Sequence, residues 1–279
     1  MVGHDWFKSI WGIKIMAQEF IIATYNVNSI RSRLHIVIPW IKKTLVDVLC
    51  LQETKVKDED FPEKAFKDIG YNIVFRGQKA YNGVAIASRS EIKKTAYGFD
   101  DTENSPEDEA RLIRCVIGDI VVVNAYVPQG KTIDDPAFKY KLRWYQRIKE
   151  LFEQNYRRQT PLIWCGDLNI APEPEDVYAP EELEGHVCYN SVARKAFYDV
   201  TSQGLTDIFR KFNQGPGQYT FFDYRVPNGI KRRMGWRVDH ILATEKMASR
   251  ATGSYIDMGT RLAEKPSDHA ALVASFAIT

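Results

Sequence analysis

The feature that most limits the fold is a series of apolar runs, each four to eight residues long, spread over the chain at 20–25, 46–51, 83–87, 120–126, 162–165, 238–243 and 271–278. Runs this short and this apolar read as β-strands covered on both faces. Some are joined by turn residues alone, and others leave room for a helix. Asp134-Asp135-Pro136 is a helix start, an acidic cap with proline in the first turn, and Phe138, Leu142, Tyr145, Ile148 and Phe152 follow at helical spacing. A shorter helix is expected over Ile36 to Thr44. Lys139, Lys141, Arg143, Arg147 and Lys149 share the longer helix and read as its solvated face, with no functional role. This alternation predicts an α/β protein with two sheets packed face to face and helices outside. No linker rich in Gly, Pro or Ser divides the chain, so residues 19–279 are expected to form one domain. Residues 1–18, apolar but interrupted by Lys8 and Lys14, read as a mobile extension or the product of an upstream start codon.

Composition narrows the function classes. Of 279 residues, 38 are Lys or Arg and 36 are Asp or Glu, a formal charge of +2 that excludes a uniformly basic nucleic-acid coat but permits local basic patches. Hydrophobic residues at 44% exclude intrinsic disorder, and no apolar run approaches the ~20 residues of a membrane span. Three of the four cysteines, Cys50, Cys115 and Cys165, sit inside apolar runs, and no CxxC pair exists. Buried thiols fit better than disulfides or zinc, and a cytoplasmic location is expected.

Polar residues punctuate the strand ends: Tyr25-Asn26-Val27-Asn28, Leu51-Gln52-Glu53-Thr54-Lys55, Asn124 to Gln129, Cys165-Gly166-Asp167-Leu168-Asn169, Asp239, and Ser267-Asp268-His269. Singly, each has an ordinary explanation as a cap, a side-chain-stabilised turn or a structural histidine. Together they place four carboxylates, Glu53, Asp167, Asp239 and Asp268, where strand ends of a layered α/β protein converge. Converging carboxylates need a neutralising cation, and hard oxygen ligands without cysteine point to Mg²⁺ or Mn²⁺. One His, two Asn and one Tyr beside them complete the parts for phosphoester cleavage.

These motifs, with Phe222-Asp223-Tyr224-Arg225, Gly235-Trp236-Arg237-Val238-Asp239 and Lys265-Pro266-Ser267-Asp268-His269-Ala270, resemble the exonuclease III family of apurinic/apyrimidinic (AP) endonucleases, within the wider endonuclease/exonuclease/phosphatase superfamily. The resemblance runs from about Phe20 to Phe276, in the family's order and spacing. It implies a four-layered α/β sandwich with two mixed sheets. It implies an exodeoxyribonuclease III or class II AP endonuclease, acting as a monomer on double-stranded DNA with abasic or 3′-blocked sites. Such an enzyme hydrolyses the phosphodiester 5′ to the abasic site with Mg²⁺, or Mn²⁺ as a substitute, and leaves a 3′-hydroxyl. A 3′-5′ exonuclease or 3′-phosphodiesterase activity shares the site.

The resemblance also assigns roles. Glu53 is the principal metal ligand, with Asp268 beside it and Asn26, Asp167 and Asn169 in the metal shell. Asp167 deprotonates or orients the attacking water, Asn26 and Asn169 position it, Tyr126 contacts the scissile phosphate, and Asp239 and His269 form a charge-stabilising pair. Arg31, Lys55 and Gln129 are expected on the DNA backbone, and Phe221, Trp236 and Val238 around the abasic sugar. Gln129 stands where other members carry Asn, and Ser29 where Gly is frequent. His240 reads as a residue that packs or supports the site from behind, not as a ligand. The aromatics of 219–237 around Lys231-Arg232-Arg233 read as stacking surfaces beside phosphates. A sibling phosphoesterase acting on phosphoinositides or sphingolipids is the rival enzyme, and an inactive DNA-binding or scaffold module is the rival of another class. The 222–225 and 235–237 segments argue against the first, and the intact polar strand ends against the second.

Overall fold

The computed structural model describes residues 18–99 and 109–278. In chain order the strands and α-helices are β1 (Gln18–Asn26), α1 (Ile30–Thr44), β2 (Val48–Gln52), α2 (Glu63–Lys67), β3 (Asn72–Arg76), β4 (Val84–Ser88), β5 (Ile92–Tyr97), β6 (Leu112–Ile117), β7 (Ile120–Tyr126), α3 (Pro136–Asn155), β8 (Leu162–Asp167), α4 (Pro180–Leu183), α5 (Ser191–Thr201), β9 (Leu205–Asp207), α6 (Ile208–Phe212), β10 (Asp239–Thr244), α7 (Glu245–Ala248), β11 (Ala251–Asp257), α8 (Met258–Arg261) and β12 (Ala271–Ile278).

The strands form two six-stranded sheets, ordered β11-β12-β1-β2-β4-β3 and β5-β6-β7-β8-β10-β9. Each sheet contains one parallel pair, β1–β2 in the first and β7–β8 in the second, among antiparallel neighbours. Side chains alternate with the period of two that a strand imposes. On β2, Val48 and Cys50 face the other sheet while Leu49 and Leu51 face α1; on β8, Ile163 and Cys165 face inward while Leu162 and Trp164 meet α3 and α5. The result is four layers, helix, sheet, sheet, helix, as expected. All four cysteines are buried and free. Among the described residues no helix is long and apolar enough to cross a membrane.

Two expectations need adjustment, and a third falls outside the described residues. The first helix starts at Ile30, six residues before Ile36, although Ser29 provides no side-chain cap. Backbone takes the place of the cap: Ser29 N–H donates to the Glu53 carbonyl (2.7 Å) and Ile30 N–H to that of Thr54 (3.1 Å). The charges of α3 are not all solvated. Lys141 is fully buried, donating from Nζ to the carbonyls of Val187 (2.6 Å), Asn169 (2.7 Å) and Gln129 (3.2 Å), and Arg147 is buried with its guanidinium 4.1 Å from the Phe99 ring centroid. Finally, β1 begins at Gln18, and the expected extension otherwise lies outside the described residues.

Candidate active site

Strand register assembles the site. Asn26 is level with Gln52 across β1–β2, and Tyr126 with Asp167 across β7–β8. Asp167 in turn faces Asp239 across β8–β10. The approach of β7 and β8 requires a glycine: Gly166 has φ 143°, and a Cβ there would lie 1.9 Å from the Ala125 carbonyl oxygen. Beyond the strand ends the chain turns through left-handed conformations at Asn28 (φ 44°), Ser29 (92°), Glu53 (51°), Lys55 (53°) and Asn169 (50°). Non-glycine residues held there cost about 1–3 kcal/mol each, and such strain clusters where side chains must be aimed.

Asn26, fully buried, is the hub. Its Nδ2 donates to Glu53 Oε1 and to Asp167 Oδ2, both at 2.8 Å, and its Oδ1 accepts from Asn28 N–H (3.0 Å). Asn28 passes the contact on, donating from Nδ2 to Asp268 Oδ1 (3.0 Å). Lys55 Nζ lies 2.6 Å from both Glu53 Oε2 and Asn28 Oδ1. Asp167 Oδ1 accepts Asn169 N–H (3.0 Å), while Asn169 Nδ2 donates to the Val127 carbonyl (2.9 Å). His269 Nδ1 is 2.8 Å from Asp239 Oδ2, and its Nε2 is 3.8 Å from Asp167 Oδ2. The other Asp239 oxygen, Oδ1, is buried without a hydrogen-bond partner.

These contacts set the protonation states. Burial pushes the Asp167 carboxyl up to about 7, with Asp239 and Glu53 adding to the rise against the opposing His269. Burial disfavours the charged His269 ring, but Asp239 and Asp167 outweigh it and lift the imidazole to about 10. For Glu53, burial is likewise outweighed, here by Lys55 and Asn26, which hold its carboxyl below the usual range. Burial, with Glu53 and Asp167 nearby, raises the Tyr126 phenol well above its ordinary value, so it remains a proton donor.

A cavity of about 580 Å³ opens over this edge, lined on the polar side by Glu53, Tyr126, Asp167, Asn169, Asp268 and His269. Phe221, Trp236, Val238 and Gln129 line it too. The Phe221 ring lies 5.0 Å from the His269 ring. The expected catalytic residues are therefore brought together, with Asn26 and Asp239 supporting from behind. Arg31 is exposed on the first turn of α1 and does not line the cavity, while Lys55 sits within the acidic cluster. Tyr219 and Phe222 are buried against each other (6.2 Å), so they are not available for stacking on nucleic acid. His240 is buried, as read from the sequence.

The far wall went unread in the sequence. Tyr178, Leu183, His186, Cys188 and Met234 line it, with His186 4.7 Å and Tyr178 6.4 Å from Trp236, ring to ring. The local signal was the turn before Tyr178, where Glu173 N–H is capped by the Asp176 carboxylate (3.0 Å).

Fold and site together define a layered α/β hydrolase of the nuclease and phosphatase kind. The Endonuclease/Exonuclease/phosphatase family profile matches residues 23–269, and the chain belongs to that family. It is 34% identical over 265 residues to exodeoxyribonuclease III of Haemophilus influenzae, covering 91% of this chain and 98% of that one. An AP endonuclease structure from Archaeoglobus fulgidus superposes with TM-score 0.90 at 49% identity, over 93% of this chain and 100% of that one. A 3′-5′ exonuclease from Neisseria meningitidis gives 0.89 at 37% identity, over the same shares. These relatives place the chain among the nucleases of the family.

Proposed function

We propose that the protein is a Mg²⁺-dependent DNA repair nuclease that hydrolyses the phosphodiester 5′ to an abasic site and leaves a 3′-hydroxyl. A 3′-5′ exonuclease or 3′-phosphodiesterase activity uses the same site, and Mn²⁺ substitutes for Mg²⁺. The carrying observation is the shared cavity: Glu53, Asp167, Asp268 and His269 open onto the space that Phe221, Trp236 and Val238 line.

The residues fit a divalent cation. The donors are oxygens, Lys55 and His269 are the cations in direct contact with the carboxylates among the described residues, and Asp239 Oδ1 is buried unpartnered. Asp167, Asp239 and His269 offer atoms within 4.8 Å of one another and could gather an ion by distance alone. An imidazole with pKa about 10 is protonated at neutral pH and has no lone pair to give, so Glu53 and Asp268 are the better holders, with Asp167 beside them. When bound, the cation supplies positive charge against the phosphate oxygens.

The chain supplies the rest. Asp167, fixed by Asn26 and Asn169 N–H and titrating near 7, is matched to taking a proton from the attacking water. His269, kept cationic by Asp239, offers Nε2–H to the phosphate, and Tyr126 offers its phenol. Phe221, Trp236 and Val238 favour a bare sugar, which presents no base edge and is extruded at least cost.

The test is a duplex carrying one abasic analogue, incubated with Mg²⁺ or with EDTA. A single nick 5′ to the lesion, extendable by a polymerase and absent in EDTA, is expected. No nick, or an end that cannot be extended, would overturn the reading.

A further inference from the structure

Lys55 is, beside His269, a basic side chain built into the acidic edge itself. Its ammonium lies 2.6 Å from Glu53 Oε2 and 2.6 Å from Asn28 Oδ1, and Asn28 holds Asp268 Oδ1 at 3.0 Å. The ammonium thus touches one carboxylate directly and a second through one amide. Its backbone is pinned at φ 53° by Lys55 N–H donating to the Asn82 carbonyl (2.9 Å). The side chain remains partly exposed (27%), so it has room to withdraw along its flexible stem.

We propose that Lys55 is the internal counterion of the divalent-cation site: it stabilises Glu53 and Asp268 while no metal is bound, and it sets the site's affinity because an arriving ion must displace or tolerate its charge. The inference rests on the assignment of the metal to Glu53 and Asp268. A positive charge a few ångströms from a divalent ion opposes binding even at water-like dielectric, by a factor of about ten or more. The same charge favours folding of the metal-free chain, since clustered carboxylates otherwise repel.

The experiment is Mn²⁺ binding to the full chain without DNA, followed by the loss of the free-ion electron paramagnetic resonance signal, for wild type, Lys55→Met and Lys55→Arg. Thermal unfolding is measured on the same samples with and without Mn²⁺. Lys55→Met should bind Mn²⁺ about tenfold or more tightly, and Lys55→Arg, which keeps the charge, should not. Without metal, Lys55→Met should unfold at lower temperature than wild type, and saturating Mn²⁺ should close that gap. Equal or weaker Mn²⁺ binding by Lys55→Met, or a gap that persists in saturating Mn²⁺, would show that Lys55 only props the loop and would overturn the proposal. Absence of Mn²⁺ binding to wild type and to Lys55→Met alike would overturn the metal assignment as well, which separates the two failures.

Discussion

Two clusters of buried charge lie side by side, and the segment 237–240 feeds both. Arg237 is fully buried and bonds Asp176 through Nε (2.6 Å) and Nη2 (3.0 Å), and Asp207 through Nη1 (2.8 Å). Arg210 adds a second cation on Asp176 (Nε, 3.1 Å), and His240 accepts from Arg237 at Nδ1 (3.0 Å) while donating from Nε2 to the Ile170 carbonyl (2.8 Å). Two carboxylates meet two guanidiniums, and the cluster is closed. Two residues on from Arg237, Asp239 belongs to the other cluster, where four carboxylates meet Lys55 and His269, one carboxylate oxygen has no partner, and a cavity adjoins. Burial acts on both, yet Arg237 holds Asp176 and Asp207 below the carboxylate range while Asp167 rises to about 7. Buried charge matched from within braces the frame; charge left unmatched is a demand for cation and substrate from outside.

Removing a partner from the closed cluster should have the largest effect on folding. Asp176→Ala strands a buried guanidinium and should cost about 3–5 kcal/mol in urea unfolding. Survival of the fold with a loss under 1 kcal/mol would dissolve the contrast. In the open cluster, Glu53→Ala should raise the Mg²⁺ concentration for half-maximal cleavage about tenfold or more, the usual size of a lost support in a metal site. An unchanged midpoint would move the ion elsewhere.

Legibility in the sequence divides along similar lines. The strands and the polar residues at their ends were readable because both signals are local: an apolar run, then Asn26, Glu53, Asp167 or His269. The Asp135 cap of α3 was readable for the same reason, its side chain accepting from Ala137 N–H at 2.8 Å. The Asp176–Arg237 pair spans 61 residues and the Lys141–Val187 contact 46, so nothing near either lysine or arginine announced its burial. The early start of α1 depends on carbonyls of Glu53 and Thr54, again remote in sequence. The cavity's far wall, Tyr178 to Cys188, holds only the four residues of α4, too short a stretch for a helical period to show.

A smaller effect should appear at the pocket. Trp236→Ala should reduce the preference for abasic over intact DNA several-fold while changing stability little. Equal losses on both substrates, with about 3–5 kcal/mol of lost folding energy, would make Trp236 a core residue. The smallest effect is in acid. Asp176 and Asp207 have folded pKa values below their unfolded ones, so their stabilisation is complete above about pH 4 and is lost as pH falls through the depressed folded values. Urea midpoints should fall between pH 4 and pH 2 in wild type, and less so in a variant lacking the pair. Parallel pH curves for the two proteins would contradict that assignment.

The central claim is that unmatched charge at the strand ends serves catalysis and not the frame, and Asp167→Asn tests it most directly. Burial raises Asp167 above its unfolded value, so its ionisation weakens the metal-free fold as pH rises from about 4 past 7. Measured at pH 8 without metal, the variant should be at least as stable to urea as wild type. In Mg²⁺ it should cut an abasic duplex about 10²–10⁴-fold more slowly. Near-wild-type cleavage, or a loss of stability like that of Asp176→Ala, would contradict the account.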